Sequence, residues 1–478
     1  MFKSLATSLS SLFVVILFAF TMLMVFAGSE GVQFQRVAFE GDQQTAVLIA
    51  EQARKLKQEA EIVNNTDLGP GDLAAVGEEM EDGPSGGGET VVLWISIPGF
   101  RTDYIEKSEA PFLDDMLREG TGTDDMTPNF PCLTSPAHAT LATGATVAGH
   151  GIPLDKIREE DGTVVDADGP HLKAEPIWTT ATRQGVRTLV HDWPLSYTQP
   201  SEHAAAIHNS SYNPDLSDQE RLDALYAAWE GDADENKLRL LMCRLDDIGK
   251  AGLVNGPRAD ETYEAVKATD AVLKAFIDKV KENWEKLAKP NAELAVLITT
   301  DHGLAELEKN INLAKLLGPE LMKNADAVAH DAIAHLYFKG VAESGGERQL
   351  FEDNFDGELS KRIYFRTFKP GDMPESWNYT SEGRIGHRVL VLKSGYGFTD
   401  AEAEEPVFDP AEGPGFYGGY GYPIEESSRM KGQCIIWGFP NQPNASGGGK
   451  IDQTGFHATV AKLLGIEPAE TASSTPAF

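Results

Sequence analysis

Three short segments combine side chains that could do chemistry. Pro131-Cys132-Leu133-Thr134-Ser135-Pro136-Ala137-His138 reads as a turn running into a helix, with Thr134 at about the helix N-terminus. Free backbone N–H groups and the helix dipole favour an anion at such a place, although a threonine there can also be a plain N-cap. Thr299-Thr300-Asp301-His302-Gly303 follows the apolar run Ala295–Ile298. A carboxylate and an imidazole at one strand end suit a hard or borderline divalent ion; a capping Asp301 beside a buried His302 is the plainer alternative. The third segment is Ser96-Ile97-Pro98-Gly99-Phe100-Arg101. Asp192 and Trp193, at another strand end, are candidates to line a substrate cleft, and Tyr417, Tyr420 and Tyr422, set among glycines, could wall one. Cys132 reads as a packed thiol.

Such segments need strand ends to carry them. Thr90–Ile97 is a continuous apolar, β-branched run, the mark of a strand buried on both faces. Similar runs are Thr188–Val190, Leu238–Met242, Ala295–Thr299 and Cys434–Trp437. Helical patterns lie between them, at Ala110–Glu119, Pro136–Ala142, Ile177–Gln184, Asp260–Lys286 and His457–Leu464. This alternation predicts an α/β fold with a mostly parallel central sheet flanked by helices. The rhythm breaks from Ala305 to about Phe398, which reads as an inserted smaller α+β lobe. Ligands of such folds bind outside the carboxyl ends of the strands, and that is where the chemistry is expected.

Composition narrows the function classes. The 478 residues hold 41 Lys+Arg against 74 Asp+Glu, a formal net charge of −33. So acidic a chain is no binder of nucleic-acid duplexes, whose phosphates are held by Lys/Arg stripes, and it is ill suited to docking on anionic lipid. Three distant cysteines, Cys132, Cys243 and Cys434, exclude a disulfide scaffold and a paired-cysteine zinc site. Lys3 precedes an uncharged apolar run, Leu12–Ala27, so residues 1–27 read as a signal peptide or an N-terminal membrane anchor. The remainder is then extracytoplasmic: periplasmic, secreted or membrane-anchored, touching membrane only through that segment. Residues 28–88 read as a helical stalk (amphipathic Gly41–Val63) with an acidic Gly-rich linker, and 89–478 as the folded domain. Nothing in the sequence sets the oligomeric state.

In order and spacing the three segments resemble type I phosphodiesterases and nucleotide pyrophosphatases of the alkaline phosphatase superfamily. The family's opening Ser-Ile-Asp-Gly-Leu/Phe-Arg-x-Asp-Tyr reads here Ser96-Ile97-Pro98-Gly99-Phe100-Arg101-Thr102-Asp103-Tyr104, and its Phe-Pro-x-x-Thr-x-Pro-x-His matches Phe130 through His138. Gly144 through Ile152, Pro176-Ile177-Trp178-Thr179, Trp193-Pro194, Arg384-Ile385-Gly386 and Leu463 through Pro468 extend the match over nearly all of residues 90–470. The resemblance implies two divalent ions, usually zinc, about 4 Å apart, polarising a Thr or Ser nucleophile. Carried over position by position, Thr134 matches the nucleophile, Asp301 and His302 a ligand pair of the first ion, and Asp246 a ligand of the second. His138 and His150 fall on motif positions but read as satisfied helix-end and turn histidines.

The departures carry as much information as the matches. The opening Asp is Pro98, which brings no ligand atom. Lys250 and Tyr420 stand where two further ligand histidines are expected. The first ion keeps Asp301, His302 and the Thr134 hydroxyl; the second keeps Asp246 alone, too little for a site that needs three or four protein ligands. This leaves at most one zinc or other divalent ion, or none. Two functions follow. One is a catalytically impaired relative retained to bind a small phosphorylated or sulfated ligand. The other is a one-metal phosphodiester or sulfate-ester hydrolase, with Thr134 as nucleophile and the Lys250 ammonium replacing the second metal.

Overall fold

In a computed structural model of the protein, residues 88–478 are described apart from 414, 444, 446–448 and 474. The apolar Leu12–Ala27 run, the Gly41–Val63 helix and nearly all of the acidic linker fall outside the described residues. The strands that matter here begin with β1 (Thr90–Ser96), β2 (Thr121–Thr127), β3 (Arg187–His191), β4 (Ile207–His208), β5 (Leu238–Arg244) and β6 (Glu293–Thr299). Next come β7 (Ala325–His330), β8 (Ile333–Phe338), β9 (Phe365–Phe368) and β10 (Arg388–Leu392), then β11 (Gly432–Phe439) and β12 (Ile451–Asp452).

The main sheet has the order β12-β2-β11-β6-β1-β5-β3-β4. Its neighbours run parallel except at β11, which is antiparallel to both β6 and β2. Strand β1 explains why the sheet is closed on both faces. Val91, Leu93 and Ile95 enter one apolar cluster while Val92 and Trp94 enter another, so every position has somewhere apolar to go.

Helices cover each face. Seven are used below: α1 (Pro111–Glu119), α2 (Thr134–Thr143), α3 (Ile177–Arg183), α4 (Asp218–Glu230), α5 (Asp247–Asn255), α6 (Asp260–Glu282) and α7 (Phe456–Leu464). Leu113 of α1, Leu222 and Trp229 of α4, and Val266 and Phe276 of α6 pack on the first face. Leu141 of α2, Trp178 of α3, and Phe456 and Val460 of α7 pack on the second. Helix α6 ends at Glu282, where the Asn283 amide turns back onto the Lys279 carbonyl at 2.9 Å, and a further helical turn, Trp284–Leu287, follows at once.

The stretch after β6 forms a separate antiparallel sheet of order β7-β8-β10-β9 with its own apolar cluster. That cluster continues past Phe398 through Tyr420 and Tyr422 to Met430, so the polypeptide returns to the main sheet only at β11. Arg384 ties the two parts together, its Nη1 donating to the carbonyls of Gly151 and His171 at 2.8 and 2.6 Å. No helix among the described residues is long and apolar enough to cross a membrane.

Candidate functional site

Parallel register places the site. Ser96, the last residue of β1, pairs with Arg244 at the end of β5 and with Thr299 at the end of β6. Two residues beyond this row lie Asp246, Pro98 and Asp301, in that spatial order. The two surviving carboxylates therefore flank a proline. A cavity of about 180 Å³ opens over the row, walled by Pro98, Thr134, Arg244, Asp246, Lys250, His302 and Tyr420 among others.

Thr134 is the first residue of α2, and Leu133 is the cap, with no side-chain capping bond. The Thr134 hydroxyl is thus not consumed as an N-cap. The anion expected at this helix start is supplied by the chain itself: Ser135 N donates to Asp155 Oδ1 at 2.5 Å. His138, one turn on, is a structural residue. Its Nδ1 lies 2.8 Å from the Thr134 carbonyl and its Nε2 2.8 Å from Ser96 Oγ, and burial pushes its pKa down to about 4. His150 is equally buried, with Nδ1 accepting from Ile152 N at 3.1 Å.

On the β5 side the pocket is cationic. Arg244 Nε lies 2.6 Å from Asp246 Oδ1, and Arg221 Nη2 of α4 lies 3.1 Å from Asp246 Oδ2. The Tyr212 hydroxyl also donates to Asp246, and its ring lies under both guanidiniums at 5.2 and 5.3 Å. Burial works against the Asp246 charge, but Arg244, the Tyr212 hydroxyl and Arg221 outweigh it, holding the carboxyl below its ordinary range. Lys250 leans outward, 39% exposed, with Nζ 2.5 Å from the Pro214 carbonyl and 4.0 Å from Asp246 Oδ2.

The β6 side is different. Asp301 Oδ1 accepts from Gly99 N at 3.2 Å and His302 N at 2.7 Å. His302 Nδ1 donates to the Gly303 carbonyl at 2.8 Å, which fixes the ring with Nε2 toward Asp301. Asp301 Oδ2 and His302 Nε2 face each other at 3.3 Å, buried, with no hydrogen-bond partner. Tyr420 stacks on the His302 ring, centroids 4.1 Å apart. Its hydroxyl lies 3.0 Å from His330 Nε2, itself 3.2 Å from Asp155 Oδ2.

A family model described as type I phosphodiesterase / nucleotide pyrophosphatase matches residues 92–420. The chain belongs to that family. It is 24% identical over 428 residues to mouse ectonucleotide pyrophosphatase/phosphodiesterase family member 7, covering 78% of this chain and 92% of that one. With an uncharacterized pyrophosphatase/phosphodiesterase of Schizosaccharomyces pombe it shares 26% over 335 residues, covering 67% and 66%. The solved murine ectonucleotide pyrophosphatase / phosphodiesterase 5 superposes with a TM-score of 0.65 at 19% identity, over 79% of this chain and 96% of that one. The fold is therefore the alkaline-phosphatase-like α/β fold of the type I phosphodiesterases.

Members of this family are typically metal-dependent, yet the residues present here do not fit a pair of ions. Asp246 is already ion-paired with two guanidiniums and accepts a bond from a phenol, although its Oδ1 has no hydrogen-bond partner, and neither Lys250 nor Tyr420 offers a ligand in place of histidine. Pro98 brings nothing to the midpoint. Asp103 and Asp247, the nearest carboxylates in sequence, do not move in: Asp103 is held by Arg101 and Lys107, and Asp247 Oδ2 takes the Asp218 N–H. Asp301 and His302 remain as two donors beside a hydroxyl, and among the described residues no third His, Cys, Asp or Glu joins them.

Two cleft candidates lie elsewhere. Trp193 is fully buried against Trp94 and His138, at 4.8 and 5.1 Å between ring centroids. Asp192 is buried in an ion pair with Arg221. Of the three tyrosines, only Tyr420 walls the pocket; Tyr422 is in the lobe core and Tyr417 is exposed. Arg244, Arg221, Tyr212, Asp155 and His330 are the site residues that motif reading passed over. The local signal for Arg244 was present, a charged residue closing the apolar run Leu240–Cys243.

Proposed function

We propose that this member of the type I phosphodiesterase family is catalytically impaired and serves as an extracytoplasmic receptor for a small phosphate ester. One observation carries the reading: the Asp246 carboxylate is engaged by Arg244, Arg221 and Tyr212. A cation-holding group has become the anchor of a guanidinium cluster. Without a Lewis acid the Thr134 hydroxyl is a weak nucleophile, and loss of the metals' electrostatic stabilisation costs many orders of magnitude in rate. Export is supported by the apolar Leu12–Ala27 run after Lys3.

A second reading has its own support. The unpartnered Asp301 Oδ2 and His302 Nε2, 3.3 Å apart beside Thr134, favour a single cation and a one-metal hydrolase. Metal analysis of the purified protein, with hydrolysis of a chromogenic phosphodiester by wild type and Thr134→Ala, separates the two. Turnover abolished by Thr134→Ala overturns the impaired reading; no turnover and no stoichiometric metal upholds it.

A further inference from the structure

We propose that residues 210–216 form a strap along the rim of the pocket and that Lys250 is its latch, the cavity being entered when the bond between Lys250 and Pro214 opens. The device serves the pocket whether or not the bound ester is hydrolysed. The strap joins β4 to α4 and is fixed at both ends. At one end the Asn209 side chain exchanges two bonds with Asp192, Oδ1 accepting from the backbone N–H at 2.8 Å and Nδ2 donating to the carboxylate at 2.5 Å. At the other end the capping box of Ser217 and Glu220 starts α4. Between these anchors Ser210, Ser211, Asn213, Pro214 and Asp215 are exposed. Among the described residues no backbone–backbone hydrogen bond joins 210–216 to the rest of the fold. A segment with so few ties opens locally while the core stays folded.

Three side chains hold the strap down. The Tyr212 hydroxyl donates to Asp246, Arg221 Nη2 donates to the Asn213 carbonyl at 2.8 Å, and Lys250 Nζ donates to the Pro214 carbonyl at 2.5 Å. Arg221 belongs to the buried charge cluster. Lys250 comes from α5, and both it and Tyr212 wall the cavity, so its stem bridges helix and strap at the cavity's edge. At 39% exposure its side chain is the tie that solvent reaches. Lys250 thus has a task other than standing in for a metal. Its ammonium is spent on a strap carbonyl and stays 4.0 Å from the Asp246 carboxylate. A charge-assisted bond of this kind is worth about 10-fold in a local equilibrium, enough to set how often the rim opens without sealing it.

Thiol labelling of the full chain tests this. Cys132, Cys243 and Cys434 are buried, so Thr134→Cys, in the cavity wall, reads access to the pocket against a silent background. Its labelling rate is measured with iodoacetamide and with fluorescein maleimide, a small and a bulky reagent. The ratio of the two rates cancels any change in the thiol's own reactivity. Adding Lys250→Met is expected to raise the bulky-to-small ratio by about 10-fold. Lys250→Arg, which keeps a donor for the Pro214 carbonyl, is expected to leave the ratio near its parent value. Lys267→Met, which removes an exposed charge paired with Glu109, is expected to leave it unchanged. A ratio that Lys250→Met does not move overturns the proposal, as does an equal rise with Lys267→Met. So does a bulky reagent that already reacts with the parent as fast as iodoacetamide. Labelling of the native cysteines in the Lys250→Met protein overturns it as well, since the whole fold would then have loosened rather than the rim alone.

Discussion

The phenol of Tyr420 lies nearly parallel to the imidazole of His302, 14° between planes and 4.1 Å between centroids. Tyr420 thus lies as a lid over the imidazole of a residue that the resemblance makes a candidate metal ligand. Tyr420 is buried, and burial carries its hydroxyl well above the ordinary phenol range, so it stays protonated at neutral pH in the metal-free pocket.

Restoring the ligands should therefore restore the ions only if the guanidinium beside Asp246 is also removed. The combination Pro98→Asp, Lys250→His, Tyr420→His and Arg244→Gln is expected to raise bound zinc from well below one to about two ions per chain, read by elemental analysis after dialysis. The three reversions without Arg244→Gln should bind less, because Arg244 still neutralises Asp246. Equal zinc in both would show that Arg244 does not oppose a cation.

Arg221 is the buried hinge pin of the charge cluster. It is paired with Asp192, lies 3.1 Å from Asp246 Oδ2 and donates to the Asn213 carbonyl at 2.8 Å. Arg221→Met takes the guanidinium from two buried carboxylates, leaving Asp192 with no cation, and the expected loss is about 3 kcal/mol in urea unfolding. Arg118→Ala, which removes an exposed pair with Asp114 and Asp115, should stay within about 0.5 kcal/mol of wild type. Adding Asp192→Asn to Arg221→Met should recover part of the loss.

Mild acid should act on the fold chiefly through its buried histidines. Burial lowers His138 from 6.5 to about 4, and His150 and His335 to about 3. A folded-state value below the unfolded one means stability that is full above pH 6.5 and lost as pH falls toward the folded value. Each buried neutral ring contributes up to about 1.4 kcal/mol per pH unit in that window. Asp218 and Asp331, raised by burial to about 7 and about 6, take up protons in the native state over the same range and offset part of that loss. The unfolding free energy should therefore fall between pH 6.5 and 5 by less than the histidines alone would give, and His138→Gln should remove about one proton's worth of the destabilising slope. An unchanged slope would place the charge on that ring already in the native state.

The framework was legible because its strands are apolar on both faces. Runs such as Thr90–Ile97 have no reading other than a buried parallel strand or helix, and their lengths and flanking turns chose the strand. Strand β2, Thr-Gly-Thr-Asp-Asp-Met-Thr, escaped because its polar residues give no period; it is ordered by its neighbours β11 and β12. Helix α4 was missed although its Ser217 and Glu220 form a capping box. In the site, Thr134, Asp246, Lys250, Asp301, His302 and Tyr420 were found by motif and lie around one cavity or at its edge. Arg221 and His330 could not be, since α4 and β7 reach the pocket only through tertiary packing. Asp192 and Trp193 sit at a strand end as expected, but large apolar neighbours drew the indole inward.

The reversed strand β11 has a consequence for biogenesis. Thr121–Thr127 leaves the ribosome early, yet both of its sheet neighbours belong to the last stretch of the chain. The outer edge of Glu293–Thr299 likewise waits for Gly432–Phe439. A nascent chain thus carries two open edges, each a template for wrong pairing, until translation has all but ended. Truncation before Phe439 would leave a polypeptide that holds nearly every pocket residue and cannot latch the sheet beneath them.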